Sequence, residues 1–295
     1  MTSASAPVIG VIGGSGIYEI DGLEDPQWIT FETPFGAPSD QLLVGRFGGH
    51  KVVFLPRHGR GHRHAPTDLN FRANIFALKA AGVTDVVSLS ACGSLREELP
   101  PGTFVIADQF IDRTFARQKS FFGEGLVAHV SMAHPVCRRL GGELLTAAAA
   151  LKIPHRRGGT YVVMEGPQFS TLAESNLYRS WGCDVIGMTN MPEAKLAREA
   201  ELCYATVAMV TDFDCWHPDH DAVTVDQVIA TLASNAAKAR ALVQAVIPPL
   251  QAHAGACPRG CHTALDAAMI TAPASRDAAM IEKLAPIVGR ALGRG

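Results

Sequence analysis

Val8-Ile-Gly-Val-Ile12 runs into Gly13-Gly14-Ser15-Gly16, and the rest of the chain is read from this join. A short, apolar, β-branched run that stops at glycines reads as a buried strand entering a tight, exposed turn. The same grammar repeats downstream. Gln41–Gly45 and Lys51–Leu55 read as two strands joined by a Gly48-Gly49 turn, a hairpin signal. Residues 70–81 carry helical periodicity ended by Gly82. Asp85–Ser90, Phe104–Ala107, Thr160–Met164, Asp184–Met188 and Cys203–Val210 read as further strands. Val136–Leu151, Leu172–Trp181, Pro192–Glu201 and Thr224–Val246 read as helices, the last closed by Pro248-Pro249.

Strands alternating with helices over short connections imply an α/β fold: a single-domain three-layer sandwich with a central mixed β-sheet flanked by helices. Residues 1–7 are expected to be disordered and 8–250 to form the domain. Residues 251–295 are expected to be a C-terminal helical extension packing on it. The chain has 295 residues, 47% apolar, enough to bury a sizeable core. Twenty-six basic against 28 acidic side chains give a net charge of −2. That balance provides no global field for nucleic acid or an anionic membrane, though a local basic pocket for a small anion remains open. No basic n-region precedes an apolar stretch, and no apolar run reaches about 18 residues. A cytoplasmic location is the default expectation. Seven cysteines are an odd number, mostly in apolar surroundings that suit reduced, buried thiols. Cys257-Pro-Arg-Gly-Cys261-His262 reads as incidental tail cysteines or a redox-labile disulfide. Zinc is the weaker reading, because no second CxxC-type pair completes a tetrahedral set.

Apolar strands repeatedly end in small or polar residues: Gly14-Ser15-Gly16, Arg57-His58-Gly59, Ser90-Ala91-Cys92, Met188-Thr189-Asn190 and Thr211-Asp212. Ligand sites of α/β proteins gather at the carboxyl ends of strands, so these tips are candidates for one pocket. Glycine N–H groups and a hydroxyl at Ser15, the planar donor Arg57 with His58 beside it, and the hydroxyls of Ser90 and Thr189 suit a small anion such as phosphate. Taken singly, each is an ordinary turn or surface group. No Gly-Lys-Ser/Thr follows the glycines, which excludes a P-loop. Counting from Gly14, the third glycine of a dinucleotide fingerprint falls on Glu19. Asp212 and Asp214 follow a strongly apolar strand and share a face if the strand continues. Close carboxylates near an apolar core acquire raised pKa values, which suits one of them as proton donor. The alternatives are a solvated turn, or a metal site with His217 and His220 that lacks an ordered ligand motif. Phe169 could stack on a flat heteroaromatic base or sit in the core.

Seven blocks occur in order: Gly13–Gly16, Thr33–Ser39, Arg57–Arg60, Ala91–Glu97, Asp108–Thr114, Glu165–Ser170 and Thr211–Trp216. Together, over about residues 8–250, they resemble the trimeric purine nucleoside phosphorylase family, in its branch acting on 5′-methylthioadenosine. The resemblance implies a homotrimer. It implies the reaction of 5′-methylthioadenosine with phosphate to give adenine and 5-methylthioribose-1-phosphate, with no metal and no organic cofactor. By position it implies Ser15, Arg57, His58, Ser90, Ala91 and Thr189 for phosphate, and Met188 against the ribose. It implies Phe169 and Ser170 beside the base, and Asp212 and Asp214 facing the purine. His129 resembles a histidine that a neighbouring subunit lends to the 5′ side. Val223 and Val225 are candidates for the apolar 5′ pocket. Relatives specific for 6-oxopurines carry asparagine where this chain has Asp212, which favours 6-amino purines here. Adenosine, methylthioinosine or inosine phosphorolysis is the alternative. A nucleosidase would leave the anion set without purpose, and a binding module would show no turnover.

Overall fold

A computed structural model describes residues 6–14, 16–17, 19–218, 225–252 and 256–293. Residues 1–5 of the stretch expected to be disordered lie outside the described residues, as do Ser15, His220 and Val223. The strands are β1 (Ile9–Gly13), β2 (Glu24–Ile29), β3 (Leu42–Phe47), β4 (His50–Pro56), β5 (Asp85–Ser94), β6 (Phe104–Ile106), β7 (Gln109–Asp112), β8 (His155–Arg157), β9 (Thr160–Val163), β10 (Val185–Gly187) and β11 (Cys203–Asp212). The helices are α1 (Phe71–Ala80), α2 (Arg138–Ala150), α3 (Leu172–Ser180), α4 (Asn190–Glu199), α5 (Val225–Ala252), α6 (Ala278–Lys283) and α7 (Ala285–Val288).

All the strands join one mixed sheet in the order β2-β3-β4-β1-β5-β10-β9-β7, with β11 also on β5 and leading to β6 and β8. β1 runs parallel to both β4 and β5, and β11 parallel to β5. The carboxyl ends of β4, β1, β5 and β11 therefore emerge side by side. β5 is long enough to serve two partners on one edge: β1 pairs with its first residues, and its last, Gly93 and Ser94, pair antiparallel with β10.

Period-two alternation sorts side chains onto two cores. Ile9 and Val11 pack with Leu140 and Leu144 of α2 and Leu242 and Val246 of α5. Ile12 packs on the other face with Phe71 and Ile75 of α1 and Leu196 of α4. Helices thus cover both faces of the sheet, which is the sandwich expected from the alternation of elements. Local signals set their ends. The Asn70 side chain accepts from Ala73 N to start α1, and Thr171 with Glu174 forms a capping box on α3.

Three strands escape the hydrophobic pattern. β2 contains Pro26 and is largely exposed, β8 is His-Arg-Arg, and β7 is only half-buried. Pro248-Pro249 does not close the long helix: α5 continues to Ala252 with both prolines inside. The prolines remove two N–H donors, but Leu250 and Gln251 beyond them are buried, so packing holds the last turn. In the C-terminal segment, Leu284, Ile287 and Val288 join the core of Phe71 and Ile75. Arg290 makes an ion pair with Glu201.

Candidate active site

Gly13 pairs with Pro56, so Arg57 stands one step beyond the sheet, its N–H bonded to Gly13 O at 2.9 Å. The side chain turns inward and is buried. Its Nε and Nη2 grip the Glu193 carboxylate at 2.9 and 3.1 Å; Nη1 donates to Leu89 O and Nη2 to Ser88 Oγ. Glu193 also accepts from Ser88 Oγ at 2.6 Å and Tyr204 OH at 2.8 Å. Burial opposes the charge on Arg57, but the Glu193 carboxylate outweighs it and the pKa lies above the ordinary value. A guanidinium carries five N–H donors, and these bonds engage all but one, on Nη1.

His58 is half-buried and stacked on His62 at 4.3 Å. Its Nδ1 lies 2.9 Å from His64 O. A carbonyl only accepts, so Nδ1 carries the proton and a neutral ring presents Nε2 as an acceptor. Burial first, then the charge of Arg57 and neighbouring His62, pushes the pKa down to about 4.

Ser90 and Ala91 lie at the end of β5's parallel part. Ser90 Oγ donates to Asn190 Oδ1 at 3.1 Å, while Asn190 Nδ2 donates to Tyr204 OH and Thr206 Oγ1, both at 2.7 Å. Thr189 is buried at the N-cap of α4, and its hydroxyl makes no capping bond.

Further along β5, the acid pair meets Gly93. A β-bulge between Val210 and Asp212 shifts the register of β11 on β5 and re-aims its end. The strand then stops at Asp212, so the condition for a shared strand face is not met. A turn brings them together instead: Asp214 takes φ 52° and its N–H donates to Asp212 Oδ1 at 2.8 Å. Asp212 Oδ2 accepts from Thr211 Oγ1 at 2.7 Å. Burial raises the pKa of Asp212, and the charge of Asp214 adds to it. Burial also raises Asp214, against the hydroxyls of Ser175 and Ser170. A Cβ on Gly93 would stand 2.9 Å from Asp212 Oδ1 and 3.3 Å from Asp214 Cβ, so only glycine leaves this approach open.

The loop after β9 closes on the same place. Cys215 Sγ donates to Ser170 O at 3.4 Å. Gly166 lies so near Met188 that a Cβ would meet its sulfur at 2.5 Å. Phe169 keeps 45% of its surface exposed, so it is not a core residue. Arg117 holds this loop to β10: its Nε pairs with Glu165 at 2.9 Å and its Nη1 donates to Met188 O at 2.6 Å.

The structure therefore groups Arg57, His58, Ser90, Ala91 and Thr189 at one set of strand ends, with Asp212, Asp214, Ser170 and Met188 beside them. His129 is not brought to this group within the chain. It is exposed in another cleft, with Lys119, Phe122, Met132 and Glu199. Val225 opens α5, and its side chain lies outside the description. The sequence reading missed Glu193 and Arg117, whose partners lie on distant segments; it placed Asn190 at a strand tip and Glu165 in the Glu165–Ser170 block without giving either a role. From Ser90 to Gly93 is about 10 Å at a rise of about 3.3 Å per residue. Along β5 the site thus has a cationic and hydroxyl end and, about 10 Å further on, an end with protonatable carboxyls.

The model of the phosphorylase superfamily matches residues 8–248 of this chain. S-methyl-5′-thioadenosine phosphorylase of Rhodospirillum rubrum is 66% identical over 97% of this chain and 98% of its own length. The crystal structure of a methylthioadenosine phosphorylase from an Antarctic soil metagenomic library superposes with a TM-score of 0.90. It is 46% identical and covers 96% of this chain and 99% of that one. A variant of the adenosine/methylthioadenosine phosphorylase of Schistosoma mansoni, in complex with methylthioadenosine, gives a TM-score of 0.80. It is 37% identical, over 84% of this chain and 92% of that one.

Proposed function

The chain belongs to the phosphorylase superfamily, and from that premise we propose that it converts S-methyl-5′-thioadenosine and phosphate to adenine and 5-methylthioribose-1-phosphate. The observation that carries this reading is the acid pair, half-buried Asp212 with buried Asp214, at the end of β11 beside Gly93 of β5, the strand that also carries Ser90 and Ala91.

Phosphate is the co-substrate and binds at the cationic end. The Arg57 guanidinium, held rigid by Glu193, supplies charge and a free N–H, and Ser90 and Thr189 supply hydroxyls. Neutral His58, with Nδ1–H committed to His64 O, accepts from the P–OH of hydrogen phosphate at Nε2. Held there, phosphate attacks the anomeric carbon without having to diffuse in, which removes much of the entropic barrier. The C1′–N9 bond breaks as the C1′–O bond forms, and the departing adenine gathers negative charge. Protonated Asp212 donates toward N7 while its other oxygen accepts from the 6-amino group. The proton count closes: the proton brought by hydrogen phosphate returns the acid to its starting state, and neutral adenine leaves. Met188 lies against the ribose, and Phe169 and Ser170 form the wall of the base site.

Ser15 belongs to the phosphate end by resemblance, as Val223 and Val225 belong to the 5′ pocket. His129 sits apart from the acid pair in its own chain. This suits a homotrimer in which each copy lends the residue to a neighbour.

A substrate panel tests the assignment. Methylthioadenosine should give the highest kcat/KM, adenosine less, and methylthioinosine and inosine least, because a 6-oxo group cannot donate to an aspartate. A preference for inosine would leave the fold and overturn the substrate.

A further inference from the structure

Outside the site, Cys137, Cys203, Cys257 and Cys261 converge. All four thiols are buried, and their sulfurs lie within 4.8 Å of one another. Cys137 precedes α2, Cys203 opens β11, and Cys257 and Cys261 flank a turn in the C-terminal segment. No second cysteine pair stands as a local motif in the sequence. The fold supplies it from two separate elements instead.

We infer that these four cysteines form a structural zinc site that fastens the C-terminal segment to the sheet. Tetrahedral zinc with Zn–S bonds of about 2.3 Å has sulfurs about 3.8 Å apart. Cys137 Sγ and Cys257 Sγ are 3.7 Å apart, well beyond a disulfide of about 2.05 Å. Four soft sulfurs without a carboxylate or carbonyl among them select zinc over magnesium or calcium. The surroundings suit a dianionic centre. Arg198 Nη1 lies 3.6 Å from Cys261 Sγ, and Arg139, which pairs with Asp85, stands two residues beyond Cys137. Arg198 Nε and Arg139 Nη1 are buried without a hydrogen-bond partner, which leaves two N–H donors for thiolate sulfur. A cleft of about 240 Å³ lined by His134, Arg138, Arg198 and Arg259 reaches Cys261 and offers an entry path. On binding, each thiol loses its proton as its Zn–S bond forms. Four protons leave, and nothing is oxidised or reduced.

The test is metal analysis of the full chain purified under reducing conditions, with native mass spectrometry. One zinc per chain surviving gel filtration is expected, and cobalt substitution should give the visible spectrum of a tetrahedral thiolate site. The Cys257→Ser, Cys261→Ser double variant should lose the metal and melt about 5 °C or more below the parent. If that variant fails to fold, stripping and refilling the parent with zinc gives the same readings. A reduced parent that retains less than roughly a tenth of a zinc per chain after refilling would overturn the inference. So would a native mass two hydrogens lighter for each Cys pair under non-reducing purification, with no zinc bound.

Discussion

Asp212 holds a proton more readily than an exposed aspartate because burial penalises its charge and Asp214 repels it. Asp212→Asn keeps the shape and removes the acid. Turnover of methylthioadenosine should fall about 10²-fold or more, the scale of lost general-acid help. Turnover within a few-fold of the parent would remove Asp212 as donor. Glu193 acts one layer back, on Arg57. Glu193→Gln leaves a buried guanidinium without its counter-charge, which should cost about 3–5 kcal/mol of stability in urea titrations. The same variant should raise KM for phosphate more than KM for the nucleoside; equal changes would mean that Arg57 does not serve the anion. Of these two residues, only Asp212 was legible in the sequence. It stands in a compact block after an apolar strand, whereas Glu193 meets Arg57 136 positions away and looks locally like any helical glutamate.

Among the elements, β5 and the end of β11 decide the site. The strands themselves were readable, because each is a short apolar run ended by small residues. The bulge that turns Asp212 was not, since it depends on how two strands register. Gly93 is the element's weak point. Gly93→Ala puts a methyl 2.9 Å from Asp212 Oδ1, so the carboxyl must move. Activity should drop at least about tenfold, since small displacements from productive geometry cost catalysis heavily. The melting temperature should change by only a few degrees. An alanine variant with parental kcat would show that Asp212 does not need its present position. The prolines of α5 carry the opposite lesson: they signalled a stop that burial of Leu250 and Gln251 overrides.

At the scale of the molecule, half-buried His58 and buried Glu199 tilt stability with pH in opposite senses. Burial holds the pKa of His58 at about 4, below its ordinary 6.5. As pH falls through that window the unfolded chain takes up a proton the folded chain refuses, so stability drops. Burial raises Glu199 from 4.5 to about 7, despite donors from Phe121 N and Ser120 Oγ. The folded chain therefore keeps a proton the unfolded chain has lost, and stability drops as pH rises toward 7. Glu199→Gln should make the slope of melting temperature against pH more positive between pH 5 and pH 7, as followed by calorimetry. An unchanged slope would mean that Glu199 does not hold its proton in the folded chain. The sandwich was legible at this scale from alternation alone. The C-terminal segment was expected to pack on the domain, but its contacts were not legible, because Leu284, Ile287, Cys257 and Cys261 meet residues far back in the chain. The most direct measurement is the initial rate of adenine release from methylthioadenosine with and without phosphate, counting 5-methylthioribose-1-phosphate against adenine. Release that requires phosphate, with one sugar phosphate per adenine, is the result expected of a phosphorylase. Equal release without phosphate, giving free methylthioribose, would contradict it.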